Sequence, residues 1–281
     1  MRVSVDIGTG ELDIDPARAG ELAIDLARAA SLAIDLDFGA RQPRHFGAPA
    51  ARSEPFAAPG FSGVVASGAS CNCRTLTLTP HCNGTHTECV GHLTRDCLDA
   101  HRVVPVGFIP ALLVTVTPAD AAGVSETSEP VPQPGDRLIT RQALQASAAA
   151  MAAPFAPRAL VIRTLPNGPD KQSRDYSELT PPYLSREAAE WLVARGIEHL
   201  VVDLPSIDRS HDEGRLTAHR IFFGLPRGSV ELSQARRRSA TVTELAYIAD
   251  SVGDGAYLLQ LQVPALGGDA VPSRPLLFPL S

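Results

Sequence analysis

Apolar and polar side chains alternate most strictly at Cys73-Arg74-Thr75-Leu76-Thr77-Leu78-Thr79, a period-two pattern that predicts a strand. Continuous apolar runs predict buried strands instead: one or two within Val104 to Thr117, one at Ala159–Thr164, and one at Ile197–Asp203. Thr241–Ile248 and Tyr257–Val263 supply the last strands. Thr140 to Ala153 predicts an alanine-rich helix, with Leu144 and Met151 on one face. A second helix is capped by Ser185, runs through Ala188, Trp191, Leu192 and Ala194, and ends at Gly196. Near the N-terminus, Val3–Ile7, the turn Gly8-Thr9-Gly10 and Leu12–Asp15 predict a hairpin. A weak ten-residue repeat (Glu11–Asp15, Glu21–Asp25, Ser31–Asp35) is too short for a solenoid and reads as short strands with connectors. Gln42 to Gly60, rich in proline and alanine and holding Phe46 and Phe56, is a long ordered loop. Glu126 to Gly135, with its prolines, is a connecting loop. Strand–helix–strand spacing in the second half predicts a largely parallel sheet with helices on it. Nothing marks a domain boundary, so residues 1–281 are expected to form one domain, with 1–30 a hairpin and extension and 31–281 the core.

Composition narrows the function. At 44% hydrophobic and 20% charged residues, the chain can bury a core, which excludes global disorder. It carries 31 acidic and 25 basic residues, and Lys171 is its one lysine. The resulting charge of −6 and the missing lysine clusters exclude a basic face for nucleic acid or an anionic membrane. Asp170 precedes Lys171, so there is no phosphate-binding G-x-x-x-x-G-K loop. Schiff-base chemistry could rest on Lys171 alone, beside the turn-like run Pro166–Asp170. No continuous apolar run near the N-terminus reads as a secretory leader. Gly107–Val116 is broken by Pro110 and too short to span a bilayer, so a cytoplasmic protein is expected. The cysteines Cys71, Cys73, Cys82, Cys89 and Cys97 are odd in number and clustered, unlike a secreted disulfide framework. Cys71-Asn72-Cys73 is too tight for a zinc knuckle, and most of the five read as small buried thiols.

The segment His81-Cys82-Asn83-Gly84-Thr85-His86-Thr87-Glu88-Cys89-Val90-Gly91-His92 carries the chemistry. It follows the strand Arg74–Thr79, which would aim its side chains from a rigid edge, and it bends at Gly84. Three imidazoles and a carboxylate within twelve residues suit Zn²⁺ or Mn²⁺. His86 and Glu88 are two apart, so on an extended chain they share a side. A lone histidine on a strand is usually a packed or solvated residue; three beside a glutamate favour a metal site. Spacing and composition leave the reaction open.

The segment resembles the motif His-x-Gly-Thr-His-x-Asp-x-Pro-x-His of the cyclase family, which includes bacterial kynurenine formamidases and isatin hydrolase. Gly84-Thr85-His86 matches its centre, Glu88 stands at the Asp position, and His92 at the last His. One extra residue separates His81 from Gly84, so either His81 reaches in over a bulge or Cys82 takes its place. Val90 replaces the proline. Looser echoes follow in order: Phe38–Pro43 through Phe46-Gly47, Trp191–Ile197, Val202–Asp208, His219, and Thr243-Glu244-Leu245. The resemblance spans most of residues 31–280.

That resemblance implies an α/β single domain of swivelling β/β/α-type architecture, a mixed sheet with packed helices. It implies a metal-dependent hydrolase acting on an amide-type C–N bond of a small molecule, arylformamidase-like, with one or two divalent ions, Zn or Mn. One ion would take His81 or Cys82 with His86 and Glu88; a second would share Glu88 with His219 and Glu244. His92 would be the catalytic imidazole, and His45 and Phe46 would touch substrate from the loop. Asp203 and Asp208 would support loop geometry. His211 and Glu231 are the weaker competitors of His219 and Glu244, and His101 and His199 receive no role. The family habit suggests a homo-oligomer, a dimer or tetramer. Two other classes fit the same residues: a redox or metal-storage protein built on the Cys/His cluster, and a catalytically decayed member retained as a metal- or ligand-binding protein.

Overall fold

A computed structural model describes residues 24–151, 153 and 155–280. The hairpin expected over Val3–Asp15 and most of the first two repeat units lie outside these residues. The strands, in chain order, begin with β1 (Ala30–Ser31), β2 (Arg52–Pro55), β3 (Arg74–Thr77), β4 (His86–Cys89) and β5 (Ile109–Val116). Then come β6 (Ala119–Asp120), β7 (Arg137–Ile139), β8 (Ala159–Thr164), β9 (Tyr183–Leu184) and β10 (His199–Val202). The last are β11 (Thr241–Glu244), β12 (Gly255–Gln262), β13 (Ala270–Pro272) and β14 (Arg274–Pro279). The helices are α1 (Ala100–Val103), α2 (Arg141–Ala149), α3 (Arg186–Ala194) and α4 (Thr217–Phe223).

Nine of these strands form one sheet in the order β1-β14-β12-β5-β8-β10-β11-β4-β13. Its centre, β5, β8, β10 and β11, is parallel. The strands on both sides pair antiparallel, so this sheet is mixed and within it the parallel expectation holds for the central four. The apolar runs account for the centre. Along β5, Leu112, Val114 and Val116 pack with Leu144 of α2, Leu192 of α3 and Phe222 of α4. The alternate residues Ile109, Ala111 and Leu113 pack on the other face with Leu32, Leu259 and Leu277. Both faces are covered, so these strands read as continuous rather than alternating hydrophobic sequence.

The clean alternation of β3 gives a different outcome. β3 is exposed throughout and pairs only with β2, in a two-stranded ribbon apart from the main sheet. Alternation establishes strand geometry but supplies no partner layer, and Leu76 stays 57% exposed. The ribbon is therefore not the rigid edge that aims the histidines; β4, inside the main sheet, has that position. The same exposure corrects the reading of the cysteines. Only Cys82 and Cys89 are buried, whereas Cys71, Cys73 and Cys97 lie on exposed loop or ribbon backbone.

The helix signals hold with adjusted ends. Thr140 Oγ1 accepts from Ala143 N at 3.1 Å and starts α2, which stops at Ala149, short of Met151. Ser185 Oγ accepts from Ala188 N at 2.9 Å, and Gly196 (φ +74°) follows the end of α3. α4 carries no neighbouring cap in the sequence. Asp208 provides it across the polar run 209–215, accepting from Ala218 N at 2.7 Å and His219 N at 3.1 Å. Among the described residues, no helix is long and apolar enough to cross a membrane.

The single lysine ties the ends of β8 and β10 together. Lys171 Nζ lies 2.7 Å from Asp203 Oδ2 and donates to Thr164 O at 2.7 Å; both charged side chains are buried. Asp203 also accepts from Thr164 N at 2.8 Å. Removing one partner of such a pair leaves a buried charge uncompensated. Lys171→Met is expected to destabilise the protein by ~3–5 kcal/mol in urea unfolding, and adding Asp203→Asn should recover part of that loss.

His199 is buried in β10 against Thr241 Oγ1 at 2.9 Å, and burial lowers its pKa from 6.5 to about 4. The unfolded chain therefore binds the extra proton first, so stability is lost as pH falls from 6.5 towards 4. Unfolding midpoints measured across this window should fall less steeply in His199→Gln than in the parent protein.

Candidate metal centre

β4 lies between β11 and β13. Its pleat sends His86 and Glu88 to one side, and the antiparallel register sets Glu244 of β11 opposite His86. All three are buried, and one ligand atom from each lies within 4.8 Å of the others. Gly84 (φ +133°) makes the bend that leads the chain into β4, a conformation open to glycine. α4 brings His219 onto this group: its Nε2 is 2.7 Å from Glu88 Oε1 and 3.5 Å from Glu244 Oε1.

Hydrogen bonds behind the rings orient them. His219 Nδ1 is 2.7 Å from Asp208 Oδ2, the same carboxylate that caps α4. His86 Nδ1 is 2.9 Å from the Gly84 carbonyl, which can only accept. Each ring thus carries its proton on Nδ1 when neutral and turns the Nε2 lone pair to the centre, as metal-binding imidazoles do. His86 Nε2, His219 Nε2 and both Glu88 oxygens are buried without an aligned hydrogen bond, although the N···O separations are short. Their lone pairs converge on one volume. Two imidazole nitrogens and two carboxylates facing it are a donor set that could hold a divalent ion.

The electrostatics show the same demand for positive charge. Burial pushes the Glu88 carboxyl up, but His219 and His92 outweigh it and hold it well below the usual range. Burial and Glu88 both push Glu244 up, and the nearby imidazoles of His219 and His86 bring it down. Burial lowers His219, yet Glu88 and Asp208 raise it well above an ordinary imidazole. Glu244 Oε1 also accepts from Ile207 N at 2.8 Å.

A second group, His81, Glu88 and His92, shares Glu88 and occupies the more open side. A short 3₁₀ turn, Pro80–Cys82, absorbs the extra residue before Gly84 and carries His81 inward. His81 Nδ1 is 3.0 Å from Glu88 Oε2, and its Nε2 is 2.7 Å from Asp269 Oδ2. The same Asp269 oxygen lies 3.1 Å from His92 Nδ1, and the His81 and His92 ring centroids are 4.2 Å apart. Burial lowers the His81 pKa, but Asp269 and Glu88 raise it to about 10. Asp269 in turn sits below the usual carboxylate range because both imidazoles bond to it.

The structure therefore brings together His81, His86, Glu88, His92, His219 and Glu244. Two candidate groups share Glu88: His86 with Glu244, beside which His219 approaches both carboxylates, and His81 with His92. Cys82 belongs to neither group; its thiol is raised by burial, and its carbonyl accepts from His45 N at 3.2 Å. His45 is buried with both ring nitrogens unpartnered, and burial lowers it to about 4. Its ring lies 3.8 Å from that of Phe46, which is 58% exposed. The loop is fastened by the Arg44–Asp175 ion pair and by Gly47 N donating to Ser177 Oγ at 3.0 Å. His211 and Glu231 are exposed. Asp269 escaped the sequence reading: it follows Gly267-Gly268 in a loop, and only the pairing of β13 with β4 brings it to the histidines.

The model of the Cyclase family matches residues 24–209. No curated protein matches the sequence. Among solved structures, the fold is similar to that of a protein from Bacillus stearothermophilus described as a predicted metal-dependent hydrolase. That likeness has a TM-score of 0.55 and 16% identity over 91% of this chain and 98% of the other. It is also similar to isatin hydrolase A from Ralstonia solanacearum, with a TM-score of 0.58 and 17% identity over 89% and 91% of the two chains. An isatin hydrolase bound to the product analogue thioisatinate gives a TM-score of 0.59 at 14% identity, over 90% and 93%. At these identities the likeness is one of fold, and the family match spans more than half of the 281 residues. The chain belongs to the Cyclase family.

Proposed function

We propose that the protein is a metal-dependent hydrolase that cleaves the C–N bond of a small aryl or cyclic amide, arylformamidase-like in its chemistry. The observation that carries this reading is the convergence of the buried, unpartnered atoms of His86, Glu88 and His219 beside Glu244, with half-buried His92 next to them. His86, Glu88, His219 and Glu244 would hold a divalent ion, Zn or Mn, and His81 would stand at a second position that shares Glu88. Such an ion, when bound, supplies a water that ionises near neutrality and a Lewis acid for a carbonyl oxygen.

The chain's own residues do the rest. Asp269 engages His92 Nδ1 and leaves Nε2 as the nitrogen that takes up and returns a proton. Hydrolysis adds the water oxygen to the carbonyl carbon, breaks the C–N bond, and needs a proton on the departing nitrogen; His92 Nε2 delivers it. The exposed ring of Phe46, tilted 40° against His45, offers an aromatic face to an aryl substrate.

Elemental analysis of purified protein should find one or two equivalents of Zn or Mn per chain, and Glu88→Ala should bind neither. A metal-free parent protein would remove the reading altogether. His92→Ala should lower turnover on a panel of formamides, esters and cyclic amides by ~10²–10⁴-fold with metal content intact. Loss of metal in that variant would make His92 a ligand instead.

A further inference from the structure

A second concavity lies on the outer side of α4, opposite the face that carries His219. Thr217, Arg220, Ile221 and Gly224 line it, while Ala218, His219, Phe222 and Phe223 are buried beneath. Its volume is about 670 Å³, within the range of sites that take small organic molecules. Ile221, Leu225 and Pro226 supply an apolar wall. Five arginines and two glutamates surround that wall, a local positive excess on a chain whose overall charge is −6.

Three of these arginines are already paired: Arg227 with Glu129 at 2.8 Å, Arg186 with Glu190 at 3.2 Å, and Arg215 with Glu213 at 3.4 Å. Among the described residues, Arg220 and Arg236 have no carboxylate partner. The half-buried Arg220 is held in place by carbonyls alone. Its Nε donates to Arg215 O at 3.1 Å, and its Nη1 to Pro226 O at 3.2 Å and Ser229 O at 2.7 Å. Its Nη2 is left without a protein acceptor among the described residues. Arg236 is drawn against α4 by its N–H to Gly224 O at 3.2 Å. Gly224 (φ +63°) permits that approach, since a Cβ there would lie 3.1 Å from Arg236 Cβ. A guanidinium already fixed by its own fold loses little freedom on binding an anion, and its planar fork matches carboxylate and phosphate oxygens.

We propose that this cavity binds a small organic anion, a carboxylate or phosphate carried on an apolar body, with Arg220 and Arg236 as its charge partners. The inference is independent of the hydrolase reading, because none of the residues it uses belongs to the metal centre. Titration calorimetry of the full chain at low salt with four probes tests it: phenyl phosphate, phenylacetate, inorganic phosphate and benzyl alcohol. At least one of the two aryl anions should bind tenfold or more tightly than inorganic phosphate and benzyl alcohol; which one wins distinguishes a phosphate from a carboxylate ligand. Arg236→Gln, an exposed change that leaves the Arg220 bonds in place, should weaken that binding at least tenfold, and Arg220→Lys should weaken it as well. Aryl-anion binding unchanged in Arg236→Gln would overturn the proposal, as would the absence of any preference among the four probes. A dimer in sedimentation that Arg236→Gln dissociates would assign the face to a second copy of the chain and overturn it too.

Discussion

Two carboxylates, Glu88 and Glu244, stand on neighbouring strands with almost no access to solvent. Burying one charge is costly, and burying two of the same sign in one site is more so. The sheet holds them together only because positive or polarisable groups close around them. His219 and His86 face them, and the Ile207 N–H bonds one Glu244 oxygen. Even so, both Glu88 oxygens lack an aligned donor. A cation satisfies carboxylates and imidazole lone pairs at once, so the arrangement of these donors favours a metal ion.

That arrangement depends on strand register. Glu244 meets His86 because β11 runs antiparallel to β4 with those residues paired; a slip of one residue would turn the candidate ligands of one strand to the opposite face. β11 in turn is fixed by parallel pairing to β10, where His199 meets Thr241 and Val201 meets Thr243. The apolar alternation of β5, β8 and β10 between two covered faces pins that block, and the candidate metal centre takes its precision from the core.

What could be read from the sequence follows the range of the interactions. The strands Ala159–Thr164 and His199–Val202 and the Ser185 cap are set by neighbouring residues, and their patterns were plain. The donors His81 to His92 were legible because twelve residues hold four of them. α4 was not, since its cap comes from Asp208 across a polar loop rather than from an adjacent residue. Nor was Asp269, which meets His81 from 188 positions away. The alternation of β3 was misleading in a specific way: it fixes side-chain direction but says nothing about whether another layer covers either face. Most of the five cysteines read as buried, yet Cys71, Cys73 and Cys97 are exposed, because no second layer covers the backbone that carries them.

The seven groups around the candidate site also divide by solvent access. His86, Glu88, His219 and Glu244 are sealed, whereas His81, His92 and Asp269 keep part of their surface open. A group that holds an ion benefits from burial, because low dielectric strengthens each contact and excludes competing water. A group that exchanges protons with a substrate has to remain reachable. α4 joins these requirements to the far side of the molecule. Its first turn carries His219 inward and Arg220 outward, and one carboxylate, Asp208, both caps the helix and orients the His219 ring. A displacement of that short helix cannot move its outer face without also moving an imidazole of the candidate metal centre.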